Sequence, residues 1–172
     1  LQVGDDRELL EYYRRNDDRF RPWDPTPPAD FFTAEFWRAR VDAAIDERRQ
    51  GTSLRLILLA RAPGDRPSIV GVASFTNIVR GVFKSCFLGY SADRAHEGHG
   101  LMREGLEASI RHLFEVVGLH RVQASYRPTN DRSGSLLRRL GFDVEGYARD
   151  YLFLDGAWRD SIVTARRAPT PK

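Results

Sequence analysis

The chain of 172 residues carries a single cysteine, Cys86, so no internal disulfide framework can staple it. No apolar run is long enough to span a membrane and no leader pattern opens the chain, so a cytoplasmic location and no membrane partner are expected. A formal net charge of only +3 is too mild to argue for nucleic acid, and no direct nucleic-acid binding is expected. No internal repeat and no second composition appear along the chain. His96, Glu97 and His99 hint at a metal, but their spacing matches no zinc motif, and none is expected. Two phosphate loops are also missing. No Lys-Ser or Lys-Thr follows Gly98 and Gly100, which excludes a P-loop. Arg103 stands where the dinucleotide fingerprint needs its third glycine, and no acidic partner ends the next strand.

What is present is concentrated between Leu88 and Asn130. Phe83 to Tyr90 is apolar and aromatic, as a largely buried strand should be. Gly98 and Gly100 free the backbone for a tight turn. From Leu101 the apolar residues Met102, Leu106, Ile110, Leu113 and Val117 recur every three to four positions, which predicts one helix face. Arg121 to Tyr126 is the next strand, and Pro128 ends it. Strand, glycine loop, helix, strand is a ready anion site, because unpaired N–H groups and the helix dipole converge at the loop. The plainer alternative is an ordinary strand-to-helix turn.

The rest of the chain frames this unit. Leu1-Gln2-Val3 reads as the tail of a first strand that begins before residue 1. Asp5 or Asp6 caps a helix to about Asn16, with Leu9, Leu10 and Tyr13 inward. Arg21-Pro22-Trp23-Asp24-Pro25 and the prolines after it suit neither helix nor central strand. A second helix is expected over residues 30–50 on Phe32, Phe36, Trp37, Val41 and Ile45. Leu54 to Ala62 and Ser68 to Ile78 form a hairpin around residues 63–67. Asn130 or Asp131 caps a short helix with Leu136, Leu137 and Leu140 inward, stopped by Gly141. Phe142 to Leu154 and Trp158 to Ala165 close the chain as a hairpin around Asp155-Gly156. With 41% hydrophobic and 30% charged residues, this is one α/β domain over residues 1–167, followed by a disordered tail at 168–172.

Several runs come in a fixed order: Gly89-Tyr90, Glu97-Gly98-His99-Gly100-Leu101-Met102, Leu119-His120-Arg121, Asn130-Asp131-Arg132-Ser133, Leu140-Gly141-Phe142 and Glu145-Gly146-Tyr147. Together with Arg21 to Pro25, Asn77 to Gly81 and Asp155 to Asp160, they make the chain resemble the GNAT acetyltransferase superfamily. Within it the chain is most similar to the RimJ-type ribosomal-protein-alanine N-acetyltransferases. One departure is Ala95, where the superfamily loop usually opens with Gln or Arg; phosphates held by backbone N–H groups tolerate that change.

The resemblance implies a GNAT fold: a mixed α/β, twisted, mostly antiparallel sheet with splayed central parallel strands and helices on both faces. It implies acetyl-CoA as donor, wedged between the strands of Tyr90 and Tyr126. The donor contacts it implies are Leu88, Gly89, Tyr90, His96, Glu97, Gly98, His99, Gly100, Leu101, Met102, Asn130 and Ser133. A bulge at Leu88-Gly89-Tyr90 is expected to free backbone N–H groups for the carbonyl. Ser133 is expected to protonate the leaving thiolate, with Tyr151 as the other catalytic candidate. Ser133 can instead merely decorate its helix, and Asn130 can hold pantetheine or cap that helix. Trp23, Asp24, Phe31, Asn77 and Tyr147 are the expected acceptor contacts, although Trp23 and Phe31 equally suit packing and Tyr147 a buried strand position. Cys86, alone in an apolar strand, reads as core.

The chemistry favours a protein N-terminus. An α-amine has a pKa of about 7.7–8.0 against about 10.4 for lysine, so it needs only a weak base, and no strong base is evident here. Residues 1–50, which resemble the wall of the acceptor cleft, hold 9 Lys/Arg and 12 Asp/Glu. That acidic front suits a basic acceptor, which the resemblance makes a ribosomal protein starting with Ala or Ser. A small-amine acetyltransferase and a non-catalytic acyl-CoA-binding module are the alternatives.

Overall fold

A computed structural model describes residues 1–60 and 68–169. The first helix, α1 (Asp6–Phe20), carries Asp6 and Glu8 in its first turn, where the dipole favours negative charge. It runs past Asn16, the expected end, because Phe20 completes its buried stripe of Leu9, Leu10, Tyr12 and Asn16. Pro22, two residues on, cannot continue it. Helix α2 (Ala34–Gln50) starts one turn later than the expected position 30. Its cap is Thr33, whose hydroxyl accepts the Phe36 N–H at 3.2 Å. It ends at Gly51, whose φ of +69° supplies the left-handed turn.

Strands β1 (Leu54–Ala60) and β2 (Ser68–Val79) pair antiparallel, and the expected turn at 63–67 lies outside the described residues. Then follow β3 (Ser85–Ala92), α3 (Leu101–Glu115), β4 (Arg121–Tyr126), α4 (Asp131–Arg139), β5 (Asp143–Leu154) and β6 (Ala157–Arg167). Val117 falls beyond α3. The sheet order is β1-β2-β3-β4-β6-β5, antiparallel throughout except for the central β3–β4 pair. The expected mixed α/β architecture is therefore present. No strand forms at Leu1-Gln2-Val3; the Leu1 ammonium instead donates to Arg55 O on β1 at 3.2 Å. The expected tail at 168–172 is described only through Pro169.

Alternation along β2 assigns the two faces. Ala73 and Phe75 join Cys86, Leu88 and Val122 under α3 and α4, where Leu106, Ile110, Leu113 and Leu137 are buried. Ile69 and Val72 face the other way, onto Leu9, Tyr12, Trp37 and Val41 of α1 and α2. Glycine sets how closely α3 descends on the sheet. A Cβ on Gly105 would lie 2.5 Å from Leu58 Cδ1, and one on Gly71 would lie 2.8 Å from Met102 Sδ.

Candidate active site

The parallel pair β3–β4 opens like a fork. Pairing covers Ser85↔Arg121, Cys86↔Val122 and Phe87↔Gln123, and then stops. Beyond it β3 pairs only with β2, and β4 only with β6. Asp93 N donates to Val70 O at 2.9 Å, which sets the antiparallel alternation and turns the backbone groups of Leu88 and Tyr90 away from β2, into the fork. This corrects the expected bulge at Leu88-Gly89-Tyr90: β3 keeps unbroken register through those residues, and the extra residue lies in β2, between Thr76 and Val79. The N–H groups are freed by the splay, not by a bulge. Gly89 faces open space and is exposed.

The glycine loop lies past the end of β3. Gly98 and Gly100 hold φ of +82° and +78°, a region costly for any residue with a side chain. The amides of residues 98–103, which include Gly98, His99, Gly100, Leu101 and Met102, find no backbone acceptor among the described residues. With α3 starting at Leu101 and no side chain capping it, these amides form a cradle with positive potential. A Cβ at Gly98 or Gly100 would meet nothing, so the space before the loop is open. Such a cradle, continuous with the fork, fits an anionic donor with an extended arm.

Side chains of α1 that sequence reasoning did not single out hold this loop. Arg15 pairs with Asp93 at 3.0 Å, and Asn16 Oδ1 accepts the Arg94 N–H at 3.0 Å. Burial opposes the Asp93 charge, but bonds from Arg15, Asn16 and His96 outweigh it and keep the carboxyl below its usual range. The Glu97 carboxylate accepts from Arg19 at 2.8 Å and also from Arg132 of α4. His96 Nδ1 lies 3.2 Å from Asp93 Oδ2, and His99 is exposed. The i, i+4 spacing of Arg15 and Arg19 was legible; that their face meets the loop was not. Among the described residues no cluster of His, Cys, Asp or Glu is arranged to hold a metal.

Across the fork, β3 and α4 meet through two hydroxyls. Tyr90 Oη lies 2.7 Å from Ser133 Oγ. Burial, countered only partly by the bond to Ser133, pushes the Tyr90 phenol up to about 12, so it remains protonated at neutral pH. Asn130 caps α4, its Oδ1 accepting the Ser133 N–H at 3.1 Å, which leaves the amide NH₂ as its unused donor. Gly134 lets α4 press on β4: a Cβ there would lie 2.8 Å from the Tyr126 ring. Cys86 is buried, and burial pushes its thiol up to about 12, as suits a core residue.

The expected acceptor residues divide. Trp23, Asp24 and Phe31 lie together in the segment between α1 and α2. Arg127, just before Asn130, donates to Pro22 O at 2.7 Å and lies over the Trp23 ring at 5.5 Å. The segment is thereby docked beside the fork. One other expectation is corrected, that for Asn77. Asn77 is exposed at φ +51° in the β2 irregularity, at the closed end of the fork. Tyr147 and Tyr151 sit on β5, the outermost strand, with β6 between them and β4. Tyr147 is 57% exposed and its hydroxyl donates to Asp160.

A family model described as an acetyltransferase (GNAT) domain matches residues 2–143. The [ribosomal protein uS5]-alanine N-acetyltransferase of Escherichia coli is 42% identical over 161 residues, spanning 94% of this chain and 81% of that protein. The crystal structure of ribosomal-protein-S5-alanine acetyltransferase from Vibrio fischeri superposes with a TM-score of 0.91 at 32% identity, covering 97% of this chain and 90% of that one. RimJ of Mycobacterium smegmatis in complex with CoA-disulfide gives 0.88 at 27% identity, covering 98% and 79%. The overall fold is thus shared with these structures, and the chain belongs to the GNAT acetyltransferase family as an N-acetyltransferase.

Proposed function

We propose that this protein transfers the acetyl group of acetyl-CoA directly to the N-terminal α-amine, on Ala or Ser, of a basic ribosomal protein. The observation that carries the acyl chemistry is the fork: backbone N–H groups of Leu88 and Tyr90 without a ladder partner, beside the Tyr90–Ser133 hydroxyl pair. The acceptor class rests on the relatives named above and on the acidic first 50 residues.

Acetyl-CoA, when bound, supplies an activated acetyl thioester. The amides of residues 98–103 face the phosphates, on a loop held in place by Arg15, Asn16 and Arg19, whereas the His96 and Glu97 amides are taken by Asp93 O and Arg94 O. Leu88 and Tyr90 N–H groups polarise a carbonyl in the fork, and their worth is large because they are already oriented. The Asn130 amide orients the donor's arm. Ser133 holds a proton for the leaving sulfur, Tyr90 stands behind it to replace that proton, and the proton released by the attacking amine returns to the pair. A thiol pKa of about 8.5 makes the thiolate a good leaving group, so a hydrogen bond from Ser133 suffices as it departs. An α-amine needs no strong base, so alignment is the main burden.

The test is a pair of peptides sharing an Ala start and several lysines, one with its N-terminus blocked, with radiolabelled acetyl-CoA. Label confined to the α-amine of the free peptide supports the reading. Equal label on the blocked peptide, or turnover of polyamines alone, overturns it.

A further inference from the structure

A cavity of about 270 Å³ lies between the end of α1, the proline segment and the start of α2. Its walls are aromatic: Tyr13, Phe20, Phe31 and Phe36. These rings brace one another, with centroids 5.8 Å apart for Tyr13–Phe20, 5.4 Å for Tyr13–Phe31 and 5.2 Å for Phe31–Phe36. Into this apolar lining the chain places the carboxylate of Asp24. Among the described residues no hydrogen-bond donor or cation engages it. Arg21, the cation of the same cavity, is held by Asp17 at 2.7 Å. Burial alone pushes the Asp24 carboxyl up to about 6. A half-buried carboxylate without a partner is costly to keep ionised, and ring faces attract cations, so both features call for one positive group.

We propose that this cavity receives a Lys or Arg side chain from the first few residues of the acceptor, with Asp24 as its counter-ion and the four rings as its walls. The inference rests on the reading of the acceptor as a basic protein N-terminus. The cavity lies against α1 and α2, on the side of the sheet where Tyr13 packs, whereas Tyr90 packs on the side of α3 and α4. Asp24 therefore meets a residue behind the reacting amine, and the amine itself reaches into the fork. The bond from Arg127 to Pro22 keeps that distance short, because Arg127 leads directly into the Asn130 cap of α4. Volume restricts the subsite to one long side chain.

The test uses the full chain, acetyl-CoA and peptides starting with Ala that carry one lysine at position 2, 3 or 4, each matched by a peptide with glutamine there. One lysine position is expected to raise kcat/KM about 10-fold over its glutamine partner, equivalent to about 1.4 kcal/mol. In Asp24→Asn, which conserves shape, that ratio should fall toward one, and Asp24→Glu should restore part of it. In the wild type the ratio should also collapse as pH falls below about 6, whereas the ratio in Asp24→Asn should not change. Asp17, Arg21 and Tyr13 are the other titratable groups lining the cavity; burial pushes the Tyr13 phenol up to about 12, and Asp17 holds the Arg21 guanidinium above its ordinary value. Calorimetry with the same peptides blocked at the N-terminus reads the preference without turnover. Overturning results are α-acetylation with no lysine preference, an equal loss on both peptides in Asp24→Asn, or an Asp24-dependent preference for spermidine over the peptides. Failure of every peptide to be acetylated at its α-amine would instead remove the proposed acceptor class.

Discussion

Tyr90 Oη and Ser133 Oγ stand 2.7 Å apart across the open end of the β3–β4 fork, joining a strand to a helix where the backbone ladder has ended. Neither residue carries charge at neutral pH, because burial holds the Tyr90 phenol at about 12. When the pair gives one proton to the leaving thiolate, the negative charge left on the hydroxyls is neutralised by the proton that the attacking amine releases.

Removing the outer hydroxyl tests that role. Ser133→Ala should lower kcat by about 100-fold, the lower end of the range for a positioned proton donor, and change acetyl-CoA affinity far less. Tyr90→Phe should lower kcat by a smaller factor, since water can replace the inner hydroxyl. Steady-state kinetics beside calorimetry separates the two quantities. Wild-type turnover in Ser133→Ala would reduce the hydroxyl to a decoration of α4.

The cradle makes a separate prediction. Gly100 sits at φ +78° with open space around its Cβ position, so the strain of a substitution is in the backbone. Gly100→Val should cost about 1–3 kcal/mol of stability and weaken CoA binding about 10-fold or more. A folded variant with unchanged affinity in calorimetry would remove the loop from the phosphate site.

Contact between α4 and β4 also sets the geometry of the fork. Gly134→Ala brings a Cβ to 2.8 Å from the Tyr126 ring, and overpacking of this kind costs about 1–3 kcal/mol. The helix must shift, carrying Ser133 away from Tyr90, so turnover should fall even where the protein remains folded. Thermal unfolding with kinetics on the same sample checks both halves. Tyr126→Leu in the same chain should recover the stability by making room.

Asp93 links the loop to pH. Its folded value lies below the ordinary 3.8, so its contribution is present above that value and is lost as pH falls through the folded one. Asp93→Asn should therefore be less stable than the wild type at pH 7, and the gap should narrow below about pH 4. Denaturant titrations at a series of pH values read this directly. A gap constant with pH would mean that the Arg15–Asp93 pair carries no linked stability.

Local pattern was enough for much of this. The apolar spacing from Met102 to Leu113 needs no partner to predict a helix, and Asp155-Gly156 between two strand patterns needs none to predict a hairpin. Gly98 and Gly100 announce a left-handed turn for the same reason: backbone sterics act within a few residues. Helix ends were less legible. Asp30 and Thr33 are both good caps, and only the packing of Phe36 and Trp37 against Tyr13 and Phe31 selects the later start.

Sequence by itself determined the strand–loop–helix–strand unit, a helix cap at Asn130 or Asp131 and the order of motifs that carries the family, all of them properties of neighbouring residues. Only tertiary structure decided what faces the fork. Sheet order places β6 between the strand of Tyr147 and Tyr151 and the fork, and the β2 irregularity puts Asn77, exposed, at the closed end. The same folding brings Arg15, Asn16 and Arg19 onto a loop 78 residues distant in the chain, and leaves Asp24 without a partner among the described residues, in a cavity lined by aromatic rings. Such contacts are set by which elements share a core, and spacing along the chain does not encode them.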